Sequence, residues 1–453
     1  MDLAQSLARL PGTVHCIDMH TTGEPTRIIY AGYPALTGPL LAQRDQAREL
    51  HDHIRKQTML EPRGHPAMYG AIVRPETELV RSGEADVGVL FTHNEGYSTM
   101  CGHATIALGR FLVDTHDQAV FPRRAQLNPD PQTQSVKLNL HAPCGVVHLT
   151  VPTTPDGTRS DPSRPVSFLS TRAYATALQV TIPIPPEARW PELPAAKDSI
   201  VLDVSYGGAF YAIVDTAELG FAGLTNLKPY LMGRPEIIAA VQHPHEPRLS
   251  YLYSVMIVDA ALGARPANVL GAETGLCYFA DNQIDRSPTG SCVTARMALA
   301  HAKGVRPVGQ RWAYHSLVSN HFGEGSFSAE IVEAADVGGR REVIVQVEGR
   351  GFYTGCASFM IEENDITSSG FTMENPRTRG ILRHDLQHAP LKGIAIDIRQ
   401  IIIHGGIVHG QGIREVGLRA AVVQAVGGLG DLQRDAAGGG VAAEGLVVAD
   451  ARG

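Results

Sequence analysis

Two short stretches of this 453-residue chain repeat one design. Met100-Cys101-Gly102-His103 runs into an apolar segment, and Asp285-Arg286-Ser287-Pro288-Thr289-Gly290-Ser291-Cys292 runs into another. Laying Cys101 on Thr289 also superposes Gly102 on Gly290 and Ala107 on Ala295. Pro288 and Gly290 break any strand arriving from the left, and residues 293–302 read as helix. The matching helix is expected from about residue 105 to 113. A loop that feeds a helix N-terminus presents unpaired backbone N–H groups and the positive end of the dipole, a natural seat for a carboxylate. Two such loops predict a duplicated fold whose halves face one another across a cleft.

The segments between these loops fill in that fold. Residues 14–30 alternate around the polar segment His20-Thr21-Thr22-Gly23-Glu24-Pro25 and predict two strands joined by a turn. Residues 40–60 carry leucines at helical spacing and predict a surface helix. A strand resumes at 71–73. The apolar, β-branched run 87–92 predicts a buried strand that delivers the chain to Cys101. From 116 to 197, proline-rich pieces separate short strand-like runs such as 145–151, as in antiparallel sheet with variable loops. Strand character returns at 200–214, helix at 228–241 and strand at 252–259, and segments 325–347 and 351–362 alternate as closing strands. The expected division is a first lobe over 12–195 closed by strands from 343–368, and a second lobe over 196–342. The segment 371–453, rich in glycine, alanine and valine from residue 405 on, reads as an appended, weakly ordered tail, with a short helix near 416–425 as the alternative.

Composition removes several function classes. The length predicts two domains of ordinary size. The formal net charge of −7 argues against a nucleic-acid binder, which carries a basic stripe. No apolar run approaches bilayer-spanning length, and residues 1–12 lack the apolar region of a secretory signal. Cys16, Cys101, Cys144, Cys277, Cys292 and Cys356 are scattered without CxxC spacing. That pattern suits free thiols in a reducing compartment better than disulfides or a zinc site, so a cytoplasmic location is expected.

The chemistry follows from the two loop residues. A cysteine ahead of a helix N-terminus should have its thiolate stabilised by the dipole, below the free value of about 8.5. Such a thiolate acts as nucleophile or general base. Read alone, Cys101 is more readily a small buried hydrophobe; its Gly-His neighbours and the matching loop reverse that preference in favour of the reactive reading. His103 either reaches the substrate or satisfies a local hydrogen bond while its backbone N–H binds. Thr289 is far too weak an acid to exchange protons as a thiol does, but its hydroxyl can hydrogen-bond or hand a proton to a departing hydroxide. One proton-abstracting face opposed by one polar, non-basic face suits elimination better than racemisation. Asp285 is a candidate for binding an ammonium or ring N–H, and alternatively caps the helix or pairs with Arg286. Cys292 lies three positions beyond Thr289, so it either approaches the same face or packs inward. Walls are expected near Tyr97 and Phe279.

Five segments carry a resemblance: Asp18-Met19-His20-Thr21-Thr22-Gly23-Glu24-Pro25, Glu61-Pro62-Arg63-Gly64-His65, Met100-Cys101-Gly102-His103, Tyr206-Gly207-Gly208-Ala209-Phe210 and Asp285-Arg286-Ser287-Pro288-Thr289-Gly290-Ser291. In this order the chain resembles the proline racemase family, which includes hydroxyproline epimerases and trans-3-hydroxy-L-proline dehydratases. The resemblance implies a two-lobed, diaminopimelate-epimerase-like α/β fold, no cofactor, and a small amino-acid substrate. Racemases and epimerases of the family carry cysteine in both loops, whereas the dehydratases have threonine in the second. By that likeness Cys101 removes the α-proton of trans-3-hydroxy-L-proline, the 3-hydroxyl leaves, and Δ1-pyrroline-2-carboxylate forms. Gly102, His103, Gly290 and Ser291 would hold the carboxylate and Asp285 the ring nitrogen. A homodimer is an assembly that the resemblance allows. Pro66-Ala67 and Cys292 depart from the family pattern. Two alternatives stay open: a proline racemase or 4-hydroxyproline epimerase using Cys292 as second base, and an inactive substrate-binding relative.

Overall fold

Two helices, Gly102–Asp114 and Gly290–Ala302, run through the interior, and the strands wrap them. Residues 102–113 of the first and 290–300 of the second are buried on every side. Their alanines, leucines and valines have no polar stripe to turn to solvent, as expected of core helices. The computed structural model describes residues 2–220, 227–362 and 364–372; the expectation for the tail beyond 372 lies outside them.

The first run of strands is β1 (Val14–Thr21), β2 (Glu24–Ala31), β3 (Tyr69–Arg74), β4 (Val87–His93), β5 (Tyr97–Ser98), β6 (Ser135–Ala142), β7 (Gly145–Pro152) and β8 (Val166–Leu169). The second is β9 (Ala173–Pro183), β10 (Ser199–Tyr206), β11 (Phe210–Asp215), β12 (Leu252–Asp259), β13 (Gly271–Phe279), β14 (Gln283–Ile284), β15 (Arg311–His315), β16 (Phe327–Val337), β17 (Arg340–Gly349) and β18 (Gly351–Phe359).

Pairing repeats between the halves. β1 and β2 are antiparallel, β2 and β3 parallel, β3 and β4 antiparallel, and β4 runs parallel to β6. In the same order β10 and β11 are antiparallel, β11 and β12 parallel, β12 and β13 antiparallel, and β13 runs parallel to β15. The short hooks β5 and β14 pair back on β4 and β13, immediately ahead of each central helix. β18 then pairs with β1, and β9 with β10. Each helix lies against the corresponding strands: the first against β1, β2, β7, β8 and β18, the second against β10, β11, β16, β17 and β9. β4, with neighbours on both edges, is buried at all seven positions, which explains the apolar run Val87–Phe91.

Two expected helices are each split. Residues 40–60 form Leu40–Leu50 and Asp52–Met59, separated at His51, whose φ of −129° leaves the helical region. Residues 228–241 form Leu227–Met232 and Pro235–Ala240; Pro235 forces the preceding Arg234 into an extended conformation. Both central helices start three residues earlier than expected, at glycines whose side-chain-free backbone reads as loop in sequence.

Candidate active site

The two hairpins hold the two loops crosswise. Glu24, at the start of β2, accepts a hydrogen bond through Oε2 from the Arg286 N–H at 2.8 Å. Gly208, in the turn between β10 and β11, accepts one from Thr99 Oγ1 at 2.6 Å, just ahead of Cys101. Gly207 in that turn is pressed so close to the second helix that a Cβ would come 2.2 Å from the Ser291 carbonyl oxygen. Each half thus positions the reactive loop of the other.

Between the loops lies a cavity of about 10 Å³, lined among others by Cys101, Gly102, His103, Asp285, Thr289, Gly290 and Ser291. The seven residues named from the sequence as catalytic or substrate-binding therefore meet at one place. Cys101 is the N-cap of its helix, and its Sγ accepts from the Ala104 N–H at 3.4 Å. The His103 ring faces it, with Nδ1 at 3.2 Å and Nε2 at 3.6 Å from the sulfur. Thr21 Oγ1 donates to the His103 carbonyl at 3.0 Å, fixing that residue from β1. The first turns of both helices leave the N–H groups of Gly102, His103, Gly290 and Ser291 without intrahelical partners.

The second loop is built differently. Thr289 has φ +62° and ψ 79°, a left-handed conformation that threonine rarely adopts, and it does not cap its helix. Its hydroxyl donates to Asp285 Oδ2 at 2.7 Å, while Asp285 Oδ1 accepts from the Ser287 N–H, also at 2.7 Å. Asp285 thus organises its own loop. The Arg286 guanidinium turns instead towards Glu24, 3.7 Å away.

The expectation of a lowered Cys101 pKa is overturned. Burial pushes the thiol well above its ordinary value; the Ala104 N–H opposes this, and nearby Asp285 reinforces it. The facing loop shuts the helix N-terminus away from water, and the cost of burying a thiolate exceeds the help of one N–H. Burial likewise lowers the His103 pKa, against the opposing influence of Asp285. Thiol and imidazole are therefore both neutral at rest. Glu24 is fully buried, with Oε1 lacking a partner among the described residues; burial, then Asp285, raise its pKa well above the ordinary value.

Cys292 sits in the hydrophobic core and is not among the residues lining the cavity. Phe279 lines it, whereas the Tyr97 hydroxyl bonds the Ala47 carbonyl. Sequence reasoning missed Tyr69, Tyr211, Tyr253 and Cys277, which complete the wall from β3, β11, β12 and β13. Only Tyr69 and Tyr253 carry a sequence signal, their place in the equivalent strands β3 and β12 of the two halves. Among the described residues no three His, Cys, Asp or Glu side chains are grouped to hold a metal ion, and no helix is long and apolar enough to cross a membrane.

The proline racemase family profile matches residues 16–372. A trans-3-hydroxy-L-proline dehydratase of Homo sapiens is 38% identical over 388 residues, covering 83% of this chain and 100% of the relative. A trans-L-3-hydroxyproline dehydratase of Bos taurus is 39% identical over 376 residues, 80% of this chain and 96% of the relative. Among solved structures, a hydroxyproline epimerase from Agrobacterium vitis with bound trans-4-hydroxy-L-proline superposes with a TM-score of 0.64 at 22% identity, covering 80% of this chain and 95% of that one. At that identity the likeness speaks for the fold alone. The mixed α/β fold, the ordered motifs and a match spanning most of the chain lead to one assignment: this chain belongs to the proline racemase family.

Proposed function

We propose that this chain is a hydro-lyase that converts trans-3-hydroxy-L-proline to Δ1-pyrroline-2-carboxylate without a cofactor. Cys101 removes the α-proton, the 3-hydroxyl leaves, and the resulting enamine tautomerises to the imine. The N–H groups of Gly102, His103, Gly290 and Ser291 receive the carboxylate, and Asp285 receives the ring nitrogen. The observation that carries this reading is the asymmetry of the two loops: a thiol beside an imidazole on one side, a threonine hydroxyl tied to a carboxyl on the other. A reaction needing one proton-abstracting group fits that pair better than one needing two. The names of the dehydratases similar to this chain support the same choice.

The enclosed volume of about 10 Å³ has room for roughly one water, so a ring substrate enters only when the loops part. The strand exchange supports a two-lobed division in which β9 serves the second lobe and β18 the first. One observation favours a second reading, α-epimerisation: Cys277 also lines the cavity, its Sγ 2.8 Å from Ser254 Oγ. Incubation with trans-3-hydroxy-L-proline, trans-4-hydroxy-L-proline and L-proline separates them. The dehydratase reading expects pyrroline carboxylate from the first alone; inversion of either of the others, with no elimination from the first, would overturn it.

A further inference from the structure

In trans-3-hydroxy-L-proline the carboxyl and the 3-hydroxyl lie on opposite faces of the ring, so the α-hydrogen and the hydroxyl share one face. The base that takes this hydrogen is on the side from which the hydroxyl leaves. Under the dehydratase reading, on which this inference rests, that side belongs to Cys101, and the acid for the leaving group has to be there too. Thr289 belongs to the facing loop, and its hydroxyl proton is directed at Asp285 Oδ2. Tyr69 lines the cavity, but its hydroxyl is engaged with Ser98 Oγ at 2.5 Å. His103 lines the same cavity, its ring edge against the Cys101 sulfur and its Nδ1 4.0 Å from Asp285 Oδ2.

We propose that His103 is the acid–base partner of Cys101, taking the thiol proton before α-deprotonation and delivering it to the departing 3-hydroxyl. The thiol proton moves to the imidazole, giving thiolate and imidazolium. The thiolate takes the α-hydrogen, and the C–H electron pair becomes the C2–C3 double bond. The C3–O bond breaks with its pair on oxygen, which accepts the imidazolium proton and leaves as water. Cys101 ends as thiol and His103 as neutral imidazole, the forms in which both began. No proton has to come from bulk water, which suits a closed cavity. The raised thiol and lowered imidazole pKa values agree with a neutral resting pair. Pro25, whose backbone hydrogen-bonds the ring, and the Tyr69 ring, edge-on at 4.8 Å, hold the imidazole in place.

The test compares two leaving groups. Trans-3-hydroxy-L-proline needs an acid, whereas trans-3-chloro-L-proline releases chloride without one and gives the same enamine. In His103→Asn and His103→Gln the hydroxyl substrate should lose about 100-fold or more in kcat. At about pH 9, the alkaline edge of the stability plateau, where ionisation of Cys101 without His103 is most favoured, the chloro substrate should lose at least tenfold less than the hydroxyl substrate, and its turnover shows that the variant is folded. Equal losses on both substrates, in variants that melt like the wild type, would overturn the proposal. The wild type supplies a measurement free of folding questions: alkaline pH should depress kcat/KM for the hydroxyl substrate and not for the chloro one. Parallel profiles would contradict the assignment. A wild-type enzyme that turns over the chloro compound but leaves trans-3-hydroxy-L-proline untouched overturns the dehydratase reading, and this inference with it.

Discussion

Gly102 and Gly290 meet backbone to backbone. A Cβ on Gly102 would stand 2.5 Å from the Gly290 Cα, and one on Gly290 would stand 2.9 Å from the Gly102 Cα. Close approach of the two helix N-termini, rather than a left-handed conformation, is what demands glycine here. It brings the two sets of free N–H groups to one cavity.

Gly102→Ala should therefore push the loops apart. Its obstacle is backbone, which cannot rotate aside, so a stability loss of about 1–3 kcal/mol is expected together with loss of turnover. Gly96→Ala is the control, since nothing lies within 4 Å of its added Cβ. Thermal melts and steady-state kinetics of both variants check this; a fully active Gly102→Ala would mean that the close approach is dispensable.

The two cysteines nearest the loops should separate cleanly. Cys101→Ser should lower kcat by about 100-fold or more with the melting temperature nearly intact. Cys292→Ala removes a core sulfur and should cost about 1 kcal/mol in stability while leaving kcat within a few-fold. Loss of turnover on Cys292→Ala would shift the chemistry to the thiol that the cavity does not contain.

Stability should fall on both sides of a plateau between about pH 7 and 9. Burial, aided by Lys228 and Arg55, pushes His93 from 6.5 down to about 3. Its contribution is present above 6.5 and lost as pH falls towards 3, because the unfolded chain takes up the proton first. Burial pushes the thiols of Cys16, Cys144 and Cys277 from 9.0 up to about 12. Their contribution is present below 9.0 and lost as pH rises from there through 12, because the unfolded thiols ionise first. Melting curves across this range check both limbs, and His93→Phe should flatten the acid one.

Glu24 offers a sharper distinction. Its carboxyl is buried, with its pKa raised well above the ordinary value by that burial, and its working contact is the Arg286 N–H. Glu24→Gln should keep that bond and the fold. Glu24→Ala leaves the N–H without a buried partner, costs about 1–3 kcal/mol, and loosens the loop carrying Thr289. Melting temperatures for the two variants that fall together would show that the crosswise tie is not what the side chain contributes.

Sequence revealed the parts of the site that are local. A reactive residue, a glycine and an apolar helix are contiguous, so both loops and the free N–H groups of their helix N-termini could be read directly. The strand Val87–His93 declared itself through the apolar, β-branched run that opens it. Tyr69, Tyr211, Tyr253 and Cys277 did not, because they reach the cavity from strands far apart in sequence and resemble ordinary core residues. The Cys101 pKa was misjudged for a related reason: its helix N-terminus is visible in sequence, but the facing loop that buries it is not. Asp285 read as a ligand or a cap, while its double hold on Ser287 and Thr289 depends on the left-handed Thr289 backbone.

The most direct test of the central claim is proton NMR of the wild-type protein with trans-3-hydroxy-L-proline and, separately, L-proline, both in D2O. The account predicts that the hydroxyproline signals disappear as pyrroline carboxylate grows in, while the proline recovered from the second sample remains the L enantiomer by chiral chromatography. Intact, α-deuterated hydroxyproline together with racemised proline would contradict it, and would mean that a second acid faces Cys101 across the cavity.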